Sequence, residues 1–406
     1  MSIVSNPLLL RNKGGEDVYQ IERSLRFEEG DSPSLSKTFS GTGNRRTWTF
    51  STWVKFIGDS NQGDFFHARD GSNTPWTTFY LDSDFRVGLT WTAGVSSNDF
   101  TPNRVYRDYS GWVHIVIKYD STQSVESERI EMYSNGEIET QFHGTAYYPT
   151  HNQDIPYMNT NVAHGIGGPT SAASWYLAET YFIDGKALSA AAFGKYDSTG
   201  NWQPKALEFP IPNDGTTWSG LVSGTADGSY PKTNAFDGDL SQNTSGMCIP
   251  ASGQTLHFDP SSDITVNQAL RIFGLCNGNG AVLWINNVDY TQEFIRQVGD
   301  NAYGWAVFYA KDIGFKIDTT NGIKFKHSGA GTNHAEIAAI EVDGVTLIDG
   351  QTDQNYTQWA AATSDNANTF HLKYNDTSSN SALGTDSLKS NDFTVSNLVA
   401  TDASNP

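Results

Sequence analysis

The chain has 406 residues, more than one ordinary domain holds, so two or three units are expected, each burying its own core. Its 45 acidic and 26 basic side chains give a formal charge of −19, which excludes nucleic acid and anionic lipid as partners, because binding either relies on Lys and Arg contacts. Only two cysteines occur, Cys248 and Cys276, so a framework of several disulfides is excluded and one bridge or two buried thiols remain.

In chain order, the start carries a short apolar patch, Pro7-Leu8-Leu9-Leu10, then Arg11-Asn12-Lys13-Gly14-Gly15. It lacks the basic region and long hydrophobic core of a secretion signal. Residues 1–22 read as an arm, laid against a neighbouring subunit or else frayed. With 13% aromatic residues and 38 Gly, the rest has the profile of short strands joined by many turns. In residues 47–56 the side chains of Trp48, Phe50, Val54 and Phe56 share one face, with Trp53 on the other. The same period of two runs through residues 85–91 and 112–119, and three half-buried strands imply a sandwich. Asn135-Gly136 and Asp184-Gly185 each follow a strand and have the composition of a primed hairpin turn.

A second β-rich unit follows residue 205, with strands expected at 270–275, 282–285, 313–317, 323–326 and 335–348, the last turning at Asp343-Gly344. From about 350 the chain is rich in Asn, Ser, Thr and Asp, yet residues 370–374 and 393–395 each read as a strand. The expected division is therefore 1–22, 23–205, 206–349 and 350–406, all-β throughout. No solenoid repeat, heptad or Gly period is visible. No run approaches the roughly 20 apolar residues of a membrane-spanning helix, so no membrane insertion is expected.

Several segments resemble the laminin-G-like, concanavalin-like jelly-roll proteins encoded by tailed phages of marine bacteria and cyanobacteria. They are Ser24-Leu25-Arg26-Phe27, residues 43–55, Trp112-Val113-His114-Ile115-Val116, Tyr133-Ser134-Asn135-Gly136, and residues 161–167, 176–188 and 193–205. In such proteins the segment matching Trp202-Gln203-Pro204-Lys205 is followed closely by one like Phe370-His371-Leu372-Lys373-Tyr374 and then Ala382-Leu383-Gly384-Thr385-Asp386-Ser387. Here a long stretch intervenes. The resemblance implies a second sandwich inserted into the first, with the C-terminal segment packing back on the first domain. Thr233-Asn234-Ala235-Phe236-Asp237-Gly238 and Ile340-Glu341-Val342-Asp343-Gly344 resemble galactose-binding-like modules.

Aromatic rings stack on the apolar side of sugars while polar loop groups bond their hydroxyls. The candidates in turn-rich settings are Trp76, Trp91, Tyr230, Trp284 and Trp305, each weighed against a place in a core. A calcium loop is readable at Asp237, Asp239, Ser241 and Asn243, where oxygen ligands recur at every second residue, although the glycine and later Glu of the helix-loop-helix motif are missing. Glu126 and Glu128 have the alternating spacing of a hydrolase carboxylate pair but sit in a polar stretch, and Glu179 has no acidic neighbour two residues away. No nucleophile elbow, zinc motif or phosphate loop is present, so no enzyme is expected. The resemblance implies a virion tail-fibre, capsid-fibre or appendage subunit, assembled in the host cytoplasm and acting extracellularly. Its partners would be other virion proteins, copies of itself, as in a trimer, and cell-surface polysaccharide. The alternatives are a purely structural decoration or cement protein and, more distantly, a polysaccharide depolymerase.

Overall fold

The computed structural model describes residues 19–71, 76–93, 96–168, 172–240, 247–276, 283–290, 294–296, 303–311, 315–326, 335–362 and 366–406. Among them the protein is nearly all β, with one six-residue α-helix, Tyr356–Ala361, and short 3-10 turns. No described helix is long and apolar enough to cross a membrane. Two compact units emerge: one of Met1–Ser189, Pro204–Ala206 and Trp359–Pro406, the other of Ala190–Gln203 and Leu207–Gln358.

The first unit opens with β1 (Ser24–Phe27), β2 (Ser34–Thr38) and the 23-residue β3 (Thr47–Arg69). Then come β4 (Trp76–Leu81), β5 (Val87–Ala93), β6 (Ser96–Phe100), β7 (Val113–Asp120), β8 (Ile130–Ser134), β9 (Glu137–Ile138), β10 (Ala163–Gly167) and β11 (Ala172–Asp184). β3 serves two sheets. Its first half pairs with β7 and β11, in a sheet that continues through β8 and β9 on one side and β1 on the other. Its second half pairs with β10 and β4, in a sheet that runs β2-β10-β3-β4-β5-β6.

The core lies between these sheets. Trp48, Phe50, Val54 and Phe56 enter it from the first half of β3, and Phe66 and Ala68 from the second. Trp48 stacks on Tyr119 at 4.9 Å between ring centroids, and Phe50 on Phe66 at 5.2 Å. Each such ring contributes about 1.5–3 kcal/mol by leaving water. Trp53 points the other way as expected, yet is also buried, stacking at 4.9 Å on His114.

Asn135 and Gly136 both adopt positive φ, 48° and 81°, and Ser134 pairs with Glu137 across them, the expected primed hairpin. Asp184-Gly185 departs from expectation. Only Gly185 has positive φ, no strand folds back there, and the buried Asp184 carboxylate instead accepts hydrogen bonds from the Asn44 amide at 2.8 Å and Asn159 Nδ2 at 2.6 Å.

The second unit contains β12 (Gly194–Tyr196), β13 (Trp202–Pro204, whose last residue counts with the first unit), β14 (Val222–Ser223), β15 (Thr255–Phe258), β16 (Ile264–Thr265), β17 (Ala269–Cys276) and β18 (Leu283–Ile285). It continues with β19 (Val288–Asp289), β20 (Ile295–Arg296), β21 (Gly304–Tyr309), β22 (Lys316–Ile317), β23 (Ile323–Lys326), β24 (Ala335–Val342) and β25 (Val345–Thr346). Two five-stranded sheets, β14-β15-β23-β18-β19 and β20-β21-β17-β24-β25, enclose Phe258, Leu270, Ile272, Ile323 and Ile340. Asp343-Gly344 forms the expected turn, both with positive φ, between Val342 and Val345. Asn286-Asn287 forms another that the sequence reading did not include, joining Ile285 to Val288.

Arg271 alternates with Leu270 and Ile272 along β17 and so faces away from that core. It is nevertheless buried, donating from Nη1 to Glu341 Oε1 at 2.8 Å and lying 4.3 Å over the Trp305 ring. Cys248 is a buried free thiol that burial pushes up to about 12, and the side chain of Cys276 lies outside the described residues.

The chain then completes the sheets of the first unit. β26 (Phe370–Leu372) pairs with β11, β27 (Thr394–Ser396) with β2, and β28 (Ala403–Ser404) with β1.

Candidate functional site

The side chains of β4 alternate between the two faces of its sheet, although Thr78 is buried as well as Thr77 and Phe79. Phe79 and Leu81 fill the first unit's core beside the buried Thr77, so Trp76, Thr78 and Tyr80 project from the opposite face of the sheet. Register sets their neighbours: Arg69 and Asp64 on β3 lie beside Trp76 and Tyr80, while Gly88 and Thr90 on β5 lie beside Tyr80 and Thr78. Thr90 in turn pairs with Asp99 on β6. Along this face runs a groove of about 570 Å³, lined by Gln62, Asp64, Arg69, Trp76, Thr78, Tyr80, Asp82 and Thr90. Such a volume suits a small ligand or a short stretch of polymer.

The Tyr80 ring is held by its neighbours. Tyr80 leans over Gly88, where any Cβ would lie 3.0 Å from the ring and 2.3 Å from Thr101 Oγ1, so a larger residue there would have to displace the Thr101 hydroxyl. Its hydroxyl donates to Asp99 Oδ1 at 2.8 Å and lies 2.7 Å from Thr101 Oγ1, which donates to the same carboxylate oxygen at 2.7 Å. Burial raises the Tyr80 phenol well above its ordinary value, keeping it a neutral donor. The Trp76 amide donates to Thr92 Oγ1 at 3.2 Å. Four residues of strand, about 13 Å of backbone, separate the two positions.

The polar rim is equally constrained. Asp64 pairs with Arg69, and burial raises its carboxyl against the pull of that guanidinium. Asp82 Oδ1 accepts the amides of Asp84 at 2.9 Å and Arg86 at 2.8 Å, and Arg86 Nη1 bridges Asp82 at 3.0 Å and Asp84 at 2.9 Å. On the next β3 position His67, opposite Thr78, is held neutral: burial, then the charges of Arg69 and His164, bring its imidazole down to about 3. The arrangement offers fixed acceptors and aromatic faces along an open groove.

Of the residues singled out in the sequence, only Trp76 lies in this groove. Trp91 is fully buried, facing the core with Val87 and Leu89 of its own strand. Trp305 is buried beside Arg271 and Phe273. Neither presents a face to a ligand, because each falls on a covered side of its strand. Tyr230 is half-buried in a turn, its amide donating to Asp227 O at 3.0 Å. Trp284 is exposed at 39% on the outer side of the β18–β19 hairpin, across from Asp289 and Lys324. Tyr80, Asp64, Arg69, Asp82, Thr90 and Asp99 were not singled out, although extending the period of two from Trp76 leads directly to Tyr80.

Asp237 and Asp239 are exposed, with the Asp239 amide donating to Asp237 Oδ1 at 2.8 Å, while Ser241 and Asn243 lie outside the described residues. Among the described residues no group of three His, Cys, Asp or Glu side chains is placed to hold a metal. Glu126 and Glu128 lie on a 3-10 turn, the first exposed and the second buried, so they do not face a common cleft.

Glu179, on a bulge of β11 at φ 48°, has a different role. Its Oε2 accepts from Tyr19 at 2.8 Å and Tyr181 at 3.0 Å and lies 2.7 Å from His371 Nε2, while Ser387 Oγ lies 2.9 Å from His371 Nδ1. The order serine–histidine–carboxylate is that of a hydrolase relay. However, the Ser387 amide is engaged by His371 O, and those of Leu388 and Lys389 by the Asp386 carboxylate, so none of the three is available to an oxyanion. The cluster fastens β26 and the loop after it to β11.

Neither a family model nor a curated protein matches the chain. Solved structures similar to it include the heptameric SAP-like pentraxin of Limulus polyphemus, at 16% identity and TM-score 0.30, covering 42% of this chain and 78% of that one. Another is the sialidase module CBM40 of Ruminococcus gnavus bound to α2,3-sialyllactose, at 11% identity and TM-score 0.24, covering 38% and 90%. A third is the carbohydrate binding module CBM66 of Bacillus subtilis, at 8% identity and TM-score 0.24, covering 36% and 79%. At these scores the likeness bears on neither the groove nor its ligand.

Proposed function

We propose that this chain is a non-enzymatic, glycan-binding protein of a tailed-phage virion, a tail- or capsid-fibre subunit that attaches the particle to polysaccharide through the β3–β6 groove. The observation that carries the glycan reading is the pair Trp76 and Tyr80, projecting from one strand face into an open groove rimmed by hydrogen-bonded carboxylates. Rings set along a strand suit separate sugars of one polymer chain, and the carboxylates accept hydrogen bonds from sugar hydroxyls. The virion placement rests on the sequence segments that resemble phage jelly-roll proteins. Many copies on one particle would convert a weak single contact into firm attachment.

The test is retention of a panel of soluble polysaccharides on the immobilised chain. Trp76→Ala and Tyr80→Ala are each expected to weaken retention tenfold or more, the cost of losing a buried aromatic contact. Retention of no polymer would favour a decoration or cement protein. Release of new reducing ends would favour a depolymerase. Gold-labelled antibody on intact particles tests the virion placement.

A further inference from the structure

We infer that the groove selects neutral, hydroxyl-rich sugars and rejects uronates and sulfated or phosphorylated glycans; this rests on the glycan reading of the same site. Among the described residues, the charges lining the groove are Asp64, Asp82 and Arg69, with Asp99 bonded to the lining Tyr80 and with Arg86 and Asp84 beside Asp82. Both guanidiniums already face carboxylates: Arg69 faces Asp64, and Arg86 bridges Asp82 and Asp84. A sugar carboxylate or sulfate would have to compete with those carboxylates for the guanidiniums and would add like charge beside Asp82 and Asp99.

A neutral sugar meets the opposite situation. Its hydroxyls donate to carboxylate oxygens that are already held in position, in bonds assisted by charge. Asp99 is oriented by Tyr80 and Thr101, and Asp82 by the Asp84 and Arg86 amides, so these acceptors are ordered before the ligand arrives. At longer range the formal charge of −19 repels a polyanion but exerts no net force on a neutral chain.

The experiment uses the full chain, immobilised, with each neutral polysaccharide of the panel run beside its own derivative oxidised to a carboxylate at C6. Buffer at about 10 mM ionic strength lets charges act over about 30 Å, and a chelator removes divalent bridges. The neutral form of a retained polymer is expected to bind at least tenfold more tightly than its oxidised form, and added salt should narrow that gap. Asp84→Lys, which reverses one rim charge, should narrow it as well. An oxidised form held as tightly as its neutral parent overturns the inference and leaves the glycan reading standing. If nothing is retained in either form, the glycan reading falls and the selectivity with it. Equal retention by Trp76→Ala would move the binding off this groove and overturn both.

Discussion

Among the described residues, buried imidazoles set the first unit apart, although it also buries an ion pair, Lys118 with Glu131, and the Asp184 carboxylate. The first covers four imidazoles. Burial brings His114 down to about 3 and His164 to about 4, His67 follows, and His371 is lowered by burial against the pull of Glu179. The second unit covers an ion pair, Arg271 with Glu341, and a carboxyl, Asp343, which burial raises although it accepts the amides of Asn267, Gln268 and Ala269. An imidazole lowered in the folded state contributes stability that is complete above its unfolded value near 6.5 and is lost as pH falls through the folded value. A carboxyl raised in the folded state contributes in the other sense: its stability is present below the unfolded value of 3.8 and is lost as pH rises through the folded one. Acid should therefore loosen the first unit selectively.

Four perturbations probe that contrast. Trp48→Ala should have the largest effect, about 5 kcal/mol, because the ring is fully buried against Tyr119, Phe79 and Phe182. Hydrogen exchange read by mass spectrometry should lose protection in first-unit peptides, and an equal loss in the second unit would deny the units separate cores. Acidification from pH 7 to 5 comes next. His114 and His164 each forfeit about 2 kcal/mol, roughly 4 together. After correction for intrinsic rates, exchange should rise in the first unit alone, and a preferential rise in the second would contradict the sign argument.

Glu341→Gln should cost about 3 kcal/mol and localise to the second unit, since it strands a guanidinium whose remaining support includes the Trp305 ring. Its effect should show as a lowered denaturant midpoint, and an unchanged midpoint would mean the pair contributes nothing net. Trp76→Ala is the smallest, within about 0.5 kcal/mol, because the side chain is half-buried on the groove face. A drop as large as that of a core aromatic would identify Trp76 as structural.

Where burial follows a period of two, the sequence was a sound guide. Trp48, Phe50, Val54 and Phe56 gave β3, and Asn135-Gly136 and Asp343-Gly344 gave their turns. It misled at Asp184-Gly185, because a side-chain carboxylate with partners 140 and 25 positions away decides that segment. It missed Asn286-Asn287, where positive φ falls on two asparagines with no glycine to mark it. The groove was only partly visible. A tryptophan on a strand reads alike whether it faces core or solvent, and Trp76 and Trp91 were separated only by which side of the sheet each strand's alternation assigns to the interior. Asp64, Asp82 and Asp99 meet at the groove through register between strands, which no local pattern encodes.

The pairing of Ser24 with Ser404 and of Leu25 with Ala403 has a temporal meaning. A ribosome adds about 5–20 residues per second. The strand that flanks β1, at residues 403–404, is therefore translated later than every described strand of the second unit, the last of which is complete at residue 346. The nascent polypeptide can thus finish its later-encoded unit first, while the earlier-encoded one waits with open backbone groups along β1. A stop codon shortly before residue 403 would leave that waiting state permanent, with an unsatisfied strand available to any passing chain.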